Sequence, residues 1–126
     1  MKAATRERIK KAESDWLLAV SLTRRRKVPV NDHACFHFQQ AAEKYMKARL
    51  EEATTHIPKT HQVDDLIRLA LPLEPLWAAL VPAAARISDY GVCVRYPGNE
   101  ATAQEMKTAH QDAKTIRESA RQALGL

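Results

Sequence analysis

Polar side chains that could bind an anion or transfer a proton are concentrated between residues 32 and 49. They recur at spacings of three and four residues and therefore share one face of a predicted helix: His33, His37, Gln40, Lys44 and Lys47. Imidazole and ammonium groups side by side suit an anionic ligand such as a phosphate. We expect this face to be a polar flank or one side of an RNA-facing groove, in which His37 and Lys44 contact the ligand.

His33 and His37 also have the spacing of two zinc ligands on one helix. A His-Glu-x-x-His metalloprotease needs a glutamate where this sequence has Ala34, and no third ligand follows at a fixed spacing. The sequence therefore predicts no metal site at these two histidines.

Arg95 and Tyr96 form a second candidate site in the longest non-helical stretch of the second half, residues 89–99. A guanidinium beside an aromatic ring suits a phosphate and a stacked base. An equally good interpretation is a structural arginine that pairs with Asp89, with Glu43 or with a helix end. The residues alone leave both interpretations open.

Five amphipathic segments must position these side chains, and each shows apolar residues at helical spacing. They cover about 5–25, 32–52, 60–71, 75–88 and 100–124. Pro82 should kink or split the fourth segment, because proline lacks an N–H donor and crowds the preceding turn. Residues suited to cap the second, third and fifth segments precede them: Asn31 and Asp32, Thr60, and Asn99. The sequence predicts one domain over residues 1–126, an all-α, antiparallel up-and-down bundle of four to five helices.

The second segment should bury one apolar face and carry a second, outward-facing apolar contact. The buried face consists of Ala34, Phe38, Ala41, Ala42 and Tyr45. Phe36 is expected on the other side together with Glu43 and Leu50. It is either an ordinary exposed residue or, beside Leu50 and Met46, part of a second contact such as a subunit interface. In the fourth segment the predicted buried stripe is Leu76, Leu80, Ala84 and Ile87.

Two further polar residues have ordinary structural interpretations. Asp15 lies beside the apolar stripe of the first segment and is expected to be solvated or to pair with a nearby arginine. His61 is expected to pack or bond locally in a first helical turn.

The composition indicates a basic protein without a disulfide framework. The net charge is +5, which raises the expectation of an anionic partner. Cys35 and Cys93 are too few to suggest a cystine-stabilised fold. We expect no signal peptide and no membrane span, and hence a cytoplasmic protein.

Three motifs in order resemble the HEPN domain family (higher eukaryotes and prokaryotes nucleotide-binding). Residues 36–48 read Phe-x-x-Gln-Gln-Ala-Ala-Glu-Lys-x-x-Lys-Ala, which is similar to the signature helix of that family. Pro58-Lys59-Thr60-His61 with Asp65-Leu66 resembles the start of its Thr-His-x-Leu helix. Asp89-Tyr90 followed by Arg95-Tyr96-Pro97 resembles its Tyr-x(n)-Arg-Tyr-Pro segment.

The resemblance implies a homodimeric protein that binds RNA or nucleotide without a cofactor. Members of this subtype often occur beside a small nucleotidyltransferase in toxin–antitoxin-type pairs. By the same resemblance, Arg95 becomes the first expected contact for RNA or nucleotide, and Tyr96 would stack or shape the loop. Lys44 and His37 are expected to supply the facing side of a groove.

RNA cleavage is the main alternative that the resemblance offers. RNA-cleaving members carry Arg, four to six residues, then His; here Arg95 matches, but residues 100–102 are Glu, Ala and Thr. Because the imidazole that would activate a ribose 2′-hydroxyl is missing, binding is favoured over catalysis. A metal-independent ribonuclease would need another base, such as His110 or His37. A structural dimerising helical domain without any ligand is the third interpretation.

Overall fold

Helices make up all the regular structure of the residues that the computed structural model describes, which are 1–25, 27, 30–90 and 100–126. The α-helices are α1 (Ala3–Leu22), α2 (Asn31–Glu52), α3 (Val63–Ala70), α4 (Val81–Ser88) and α5 (Ala103–Ala123), and a 3-10 helix (Pro75–Leu80) precedes α4. These helices confirm the predicted all-α class. None of the described helices is long and apolar enough to cross a membrane.

Helix α2 is the centre of the molecule and is buried on two sides. Its predicted apolar face is confirmed, since Phe38 and Tyr45 are fully buried and contact α1. A second side is buried against the chain that leads into α3, and it includes Gln39, Glu43 and Leu50. The prediction that Glu43 and Leu50 face outward beside Phe36 is therefore wrong, because residues 53–62 return along α2 and cover this side.

Contacts at the helix ends define the direction of each helix. α1 is antiparallel to α2, since Thr5 bonds Glu52 at one end. α5 runs in the same direction as α2, because residue 101 contacts the first turn of α2 and His110 stacks on Phe38 further along. α3 also follows the direction of α2, and α4 is antiparallel to α5, as the Arg86–Asp112 and Tyr90–Glu105 contacts show.

The predicted helix starts differ from the observed ones in their capping residues. Asn31 and Asp32 do not cap α2; the amide of Asn31 donates to the carbonyl of Ala101, and the carboxylate of Asp32 accepts from its N–H. Thr60 does not cap α3, which begins at Val63, but accepts a hydrogen bond from the N–H of Gln62.

Helix α5 begins with a capping box instead of the predicted Asn99 cap. Thr102 accepts from the N–H of Glu105, and the Glu105 carboxylate accepts from the N–H of Thr102, each at 3.0 Å. This reciprocal pair satisfies two of the free N–H groups at a helix start. Asn99 lies outside the described residues.

Pro82 splits the fourth segment as predicted, into the 3-10 helix and α4. The predicted burial of Leu76 is wrong, since its side chain is 90% exposed while Trp77 is buried. A 3-10 helix has three residues per turn, so residues 77 and 80 share its inner face. An α-helical pattern had instead paired residues 76 and 80.

A polar cluster fastens α1, α2 and α5 together beside the core. The guanidinium of Arg117 donates two hydrogen bonds to the carboxylate of Glu13, with Nε at 3.1 Å and Nη2 at 2.6 Å. The hydroxyl of Tyr45 donates to the same carboxylate. Arg117 also lies over the ring of Trp16, 5.1 Å from its centroid. Three helices thus meet at one carboxylate.

Candidate functional site

The third side of α2 remains polar, and we call His33, His37, Gln40, Lys44 and Lys47 the α2 polar face. All five side chains are exposed or partly exposed, whereas Phe38 and Tyr45, next to them in the chain, are buried. Helical spacing alone produces this separation, because positions one apart point about 100° away from each other. The rigid core side of α2 thus holds the polar side in place.

Asp15 of α1 joins two members of the α2 polar face. Nδ1 of His37 lies 2.8 Å from Oδ1 of Asp15, and Nζ of Lys44 donates to Oδ2 of the same carboxylate. The Asp15 side chain is 13% exposed, and those of His37 and Lys44 are 25% and 31% exposed. Asp15 is therefore paired, but with a histidine and a lysine of α2 instead of the expected arginine.

A second carboxylate holds a second imidazole at the other edge of the face. Nδ1 of His61 lies 2.7 Å from Oε1 of Glu43, whose other oxygen accepts from Nζ of Lys47 at 3.3 Å. The amide of Gln39 donates to the backbone carbonyl of His61 at 2.8 Å and fixes the chain there. His61 is 68% exposed, so its ring projects into solvent.

The expectation that His61 bonds locally is wrong, because it reaches 18 residues back to a buried carboxylate. Sequence analysis missed this pair. The sequence feature that could have predicted it is the spacing of Gln39 and Glu43, which lie four residues apart on a side of α2 that is otherwise apolar. A buried carboxylate requires a partner, so this spacing indicates a polar contact from elsewhere in the chain.

A groove of about 430 Å³ runs between α1 and α2 at the Lys44–Lys47 end of the polar face. It is lined by Ala4, Glu7, Arg8, Lys11, Glu43, Lys44, Lys47 and Glu51. Four cations therefore face three carboxylates. Two of those carboxylates are paired within the groove, Glu51 with Arg8 and Glu43 with Lys47. Lys44 pairs with Asp15 outside the groove. Lys11 and Glu7 have no ion pair in the described part of the chain, so these two remaining charges of the groove offset each other.

Arg95 and Tyr96, the other two predicted ligand contacts, lie outside the described residues. The chain that follows them is placed at Ala101, which Asn31 and Asp32 fasten to the first turn of α2. His37 lies five residues after Asp32, about 7.5 Å further along the helix axis. The α2 polar face thus begins beside the point where the described chain resumes.

His110 lies on a different side of α2 from His37. Its ring stacks on Phe38, with centroids 4.8 Å apart, and lies 5.4 Å from the Trp16 ring. Burial, and then the positive charge of Lys114, lower the pKa of His110. This imidazole is part of the packing between α1, α2 and α5 and does not belong to the α2 polar face.

The two imidazoles beside the α2 polar face are paired with carboxylates and are not gathered into a set of metal ligands. Nδ1 of His37 is engaged by Asp15, and Nδ1 of His61 by Glu43. Within residues 1–25, 27, 30–90 and 100–126, no group of three or more His, Cys, Asp or Glu side chains is placed to hold a metal ion. The arrangement supplies ammonium groups, which donate to an anion, and oriented imidazoles, whose Nε2 donates when the ring is protonated and accepts when it is neutral.

Comparison with known proteins identifies the fold and the family. The family model of the HEPN domain matches residues 5–123. The crystal structure of TT1696 from Thermus thermophilus superposes with a TM-score of 0.79 over 97% of this chain and 99% of that chain, at 23% sequence identity. A search of curated proteins found no match. Since the family model spans nearly the whole chain, this protein belongs to the HEPN domain family of nucleotide- and RNA-related helical domains.

Proposed function

We propose that this protein is a subunit that binds RNA or nucleotide along the α2 polar face. The observation that carries the proposal is the arrangement of His37 and Lys44 around Asp15 and of His61 and Lys47 around Glu43. Each carboxylate holds an imidazole by Nδ1, so Nε2 of each ring remains as the second nitrogen for a ligand.

The charges of this region suit a phosphate. A phosphate oxygen accepts hydrogen bonds from ammonium and imidazolium groups, and such charge-assisted bonds are stronger than neutral ones. Lys11 adds an ammonium group that has no ion pair in the described part of the chain, in a groove that also holds the unpaired carboxylate of Glu7. We include Arg95 and Tyr96 in the proposed site as an anion contact and a stacking ring, as the sequence motif indicates.

We propose the assembly that the sequence resemblance implies. The protein is a homodimer in the cytoplasm and works with a small nucleotidyltransferase as one half of a toxin–antitoxin-type module. Light scattering of the purified chain tests the dimer. Co-purification with the product of a neighbouring gene that encodes Gly-Ser-x(n)-Asp-x-Asp tests the partner, and a neighbouring gene without that motif contradicts it.

Binding is tested by fluorescence anisotropy with labelled single-stranded RNA, and by competition with ATP, at several salt concentrations. We expect binding that weakens with salt, and Lys44→Ala should reduce the slope of log K against log salt by about 1 if it removes one phosphate contact. Arg95→Ala should weaken binding and leave the fold intact. Lys107→Ala, an exposed lysine on α5, is the matched control and should bind almost like the wild type.

Failure of the wild-type protein to bind any polyanion, even at low salt, would overturn the binding function. Unfolding of Arg95→Ala would remove Arg95 from the site and make it a structural residue. Circular dichroism of each variant separates these outcomes.

One observation favours metal-independent RNA cleavage as a second candidate function. Asp15 fixes Nδ1 of His37, which is how a general base is oriented in many active sites. His37 would accept the proton of a ribose 2′-hydroxyl, whose oxygen attacks the adjacent phosphorus and expels the 5′-oxygen of the next nucleotide, which takes up a proton. RNA incubated in EDTA should then yield 2′,3′-cyclic phosphate ends with the wild type and not with His37→Gln. Intact RNA in both reactions excludes this candidate.

A further inference from the structure

We propose that the α2 polar face takes single-stranded nucleic acid, and that one unpaired base stacks on the ring of Phe36. This inference rests on the proposed binding function and specifies its substrate class. From the sequence, Phe36 was expected to be either an ordinary exposed residue or part of a subunit interface.

Phe36 is an apolar ring in polar surroundings. It is partly exposed, and it lies on the described surface next to His37, with ring centroids 5.2 Å apart and an interplanar angle of 69°. Ten partly buried apolar residues of the described chain pack against the core, among them Trp16 and Tyr90, and Phe36 is not one of them. Within the described chain, therefore, core packing does not account for this ring.

The neighbours of Phe36 match a nucleotide chain in charge. Helical spacing places His33 and Gln40 beside it on the surface, three residues before and four after. Lys44 lies eight residues further on, about 12 Å along the axis, and Lys47 lies eleven residues further on, about 16.5 Å. A phosphate chain that continues from a base on Phe36 would reach Lys44 and Lys47, whose ammonium groups pair with Asp15 and Glu43 and have further N–H donors.

This geometry favours a single strand over a duplex. Bases in a duplex stack on one another and hide their faces, whereas an unpaired base can lie flat on an aromatic ring. Stacking on aromatic rings with cations along the backbone is the usual way in which proteins hold single strands. The Phe36 ring is partly exposed beside His37, and the base would stack on that exposed part of the ring.

The test compares labelled RNA of about 12 nucleotides, single-stranded and as a duplex, by anisotropy. Loss of one stacking contact should make single-strand binding of Phe36→Ala roughly 5- to 150-fold weaker. Phe36→Trp keeps an aromatic face and should retain affinity. The salt dependence of Phe36→Ala should equal that of the wild type, because no phosphate contact is removed. Leu73→Ala, at an exposed apolar side chain between α3 and the 3-10 helix, is the control for apolar truncation.

The outcomes separate this inference from the function on which it rests. No binding by the wild type overturns both. Wild-type binding that Phe36→Ala leaves unchanged overturns the stacking site alone, and so does duplex binding that equals single-strand binding. Light scattering adds a third test: if Phe36→Ala loses affinity only because it converts a dimer to a monomer, the ring is a subunit contact and the inference is wrong. Thermal melting of both Phe36 variants shows whether they are folded.

Discussion

Replacing Glu13 by glutamine should loosen the junction of α1, α2 and α5. The carboxylate accepts two hydrogen bonds from Arg117 and one from the hydroxyl of Tyr45, which is fully buried. The amide keeps the shape of the side chain and an oxygen for Tyr45, but it loses the charge that faces the guanidinium. The substitution thus removes the charge of the junction together with one hydrogen-bond acceptor, because the amide nitrogen replaces one of the two oxygens that accept from Arg117.

The expected cost is about 1–2 kcal/mol in the free energy of unfolding. A hydrogen bond to a charged group contributes roughly 1.5–3 kcal/mol. The side chains of Glu13 and Arg117 remain 28% and 22% exposed, so solvent screens the pair and the lower part of that range applies. Glu13→Ala should cost about 1–3 kcal/mol more, because the buried Tyr45 hydroxyl then lacks its acceptor.

The pH dependence of the difference in unfolding free energy between wild type and Glu13→Gln tests whether the Glu13 carboxylate causes it. Burial acts to raise the pKa of Glu13, but the hydrogen bonds from Arg117 and Tyr45 and the charges of Arg117 and Arg121 outweigh it and lower the pKa below 4.5. A depressed acid pKa stabilises the fold above the unfolded value and loses this contribution as pH falls through the folded value. The difference between wild type and Glu13→Gln should thus be complete at neutral pH and shrink below about pH 4.5.

Urea denaturation followed by circular dichroism measures this difference at each pH. Glu7→Gln is the matched control, because it makes the same change on the same helix at an exposed side chain without an ion pair in the described chain. It should alter stability by less than about 0.5 kcal/mol. Equal effects of the two variants, or a Glu13 effect that persists unchanged in acid, would refute the ionic junction.

Two other perturbations have clear expected outcomes. Burial and then the charge of Lys114 lower the pKa of His110, so the folded protein binds fewer protons there than the unfolded chain and loses stability as pH falls below about 6.5. His110→Phe should reduce this loss. Urea midpoints of variant and wild type that change in parallel between about pH 7 and pH 5 would contradict it. Ser88→Ala should cost about 1–3 kcal/mol in urea unfolding, because the buried Ser88 hydroxyl accepts from the N–H of Val63 at the start of α3. The exposed Ser21→Ala is its control, and an equal effect of both changes would argue against the α3 contact.

The periodic parts of the fold could be predicted from the sequence, whereas the ends of helices could not. The face of α2 that contains Phe38 and Tyr45 follows from spacing, and the split at Pro82 follows from the chemistry of proline. Capping is a local choice that competes with distant contacts. Asn31 and Asp32 have the side chains of good caps, yet they bind Ala101, about 70 residues away, and no local window contains that partner.

The sequence predicts which residues share the polar face of α2, but it does not predict which carboxylates they pair with. The spacing of His37 and Lys44 placed both on one side of α2, where the structure has them. Their common partner, Asp15, lies on another helix 22 residues before His37, and its choice of partner depends on how α1 packs on α2. Arg95 and Tyr96 lie outside the described residues, so their place in the site stays a prediction.

In helix α2, residues of the proposed site are directly followed in the chain by residues of the core. Substitutions that test the site must therefore leave the core packing intact. His37 precedes the buried Phe38, and Lys44 precedes the buried Tyr45. Since His37 and Lys44 are partly exposed, their substitution removes little packing, so a change in ligand binding reports on the site. α1 supplies Asp15 to this face, so its packing against α2 also decides whether His37 is oriented. A variant that weakens the Glu13 junction without touching the polar face should therefore weaken ligand binding only if the position of α1 matters to the site.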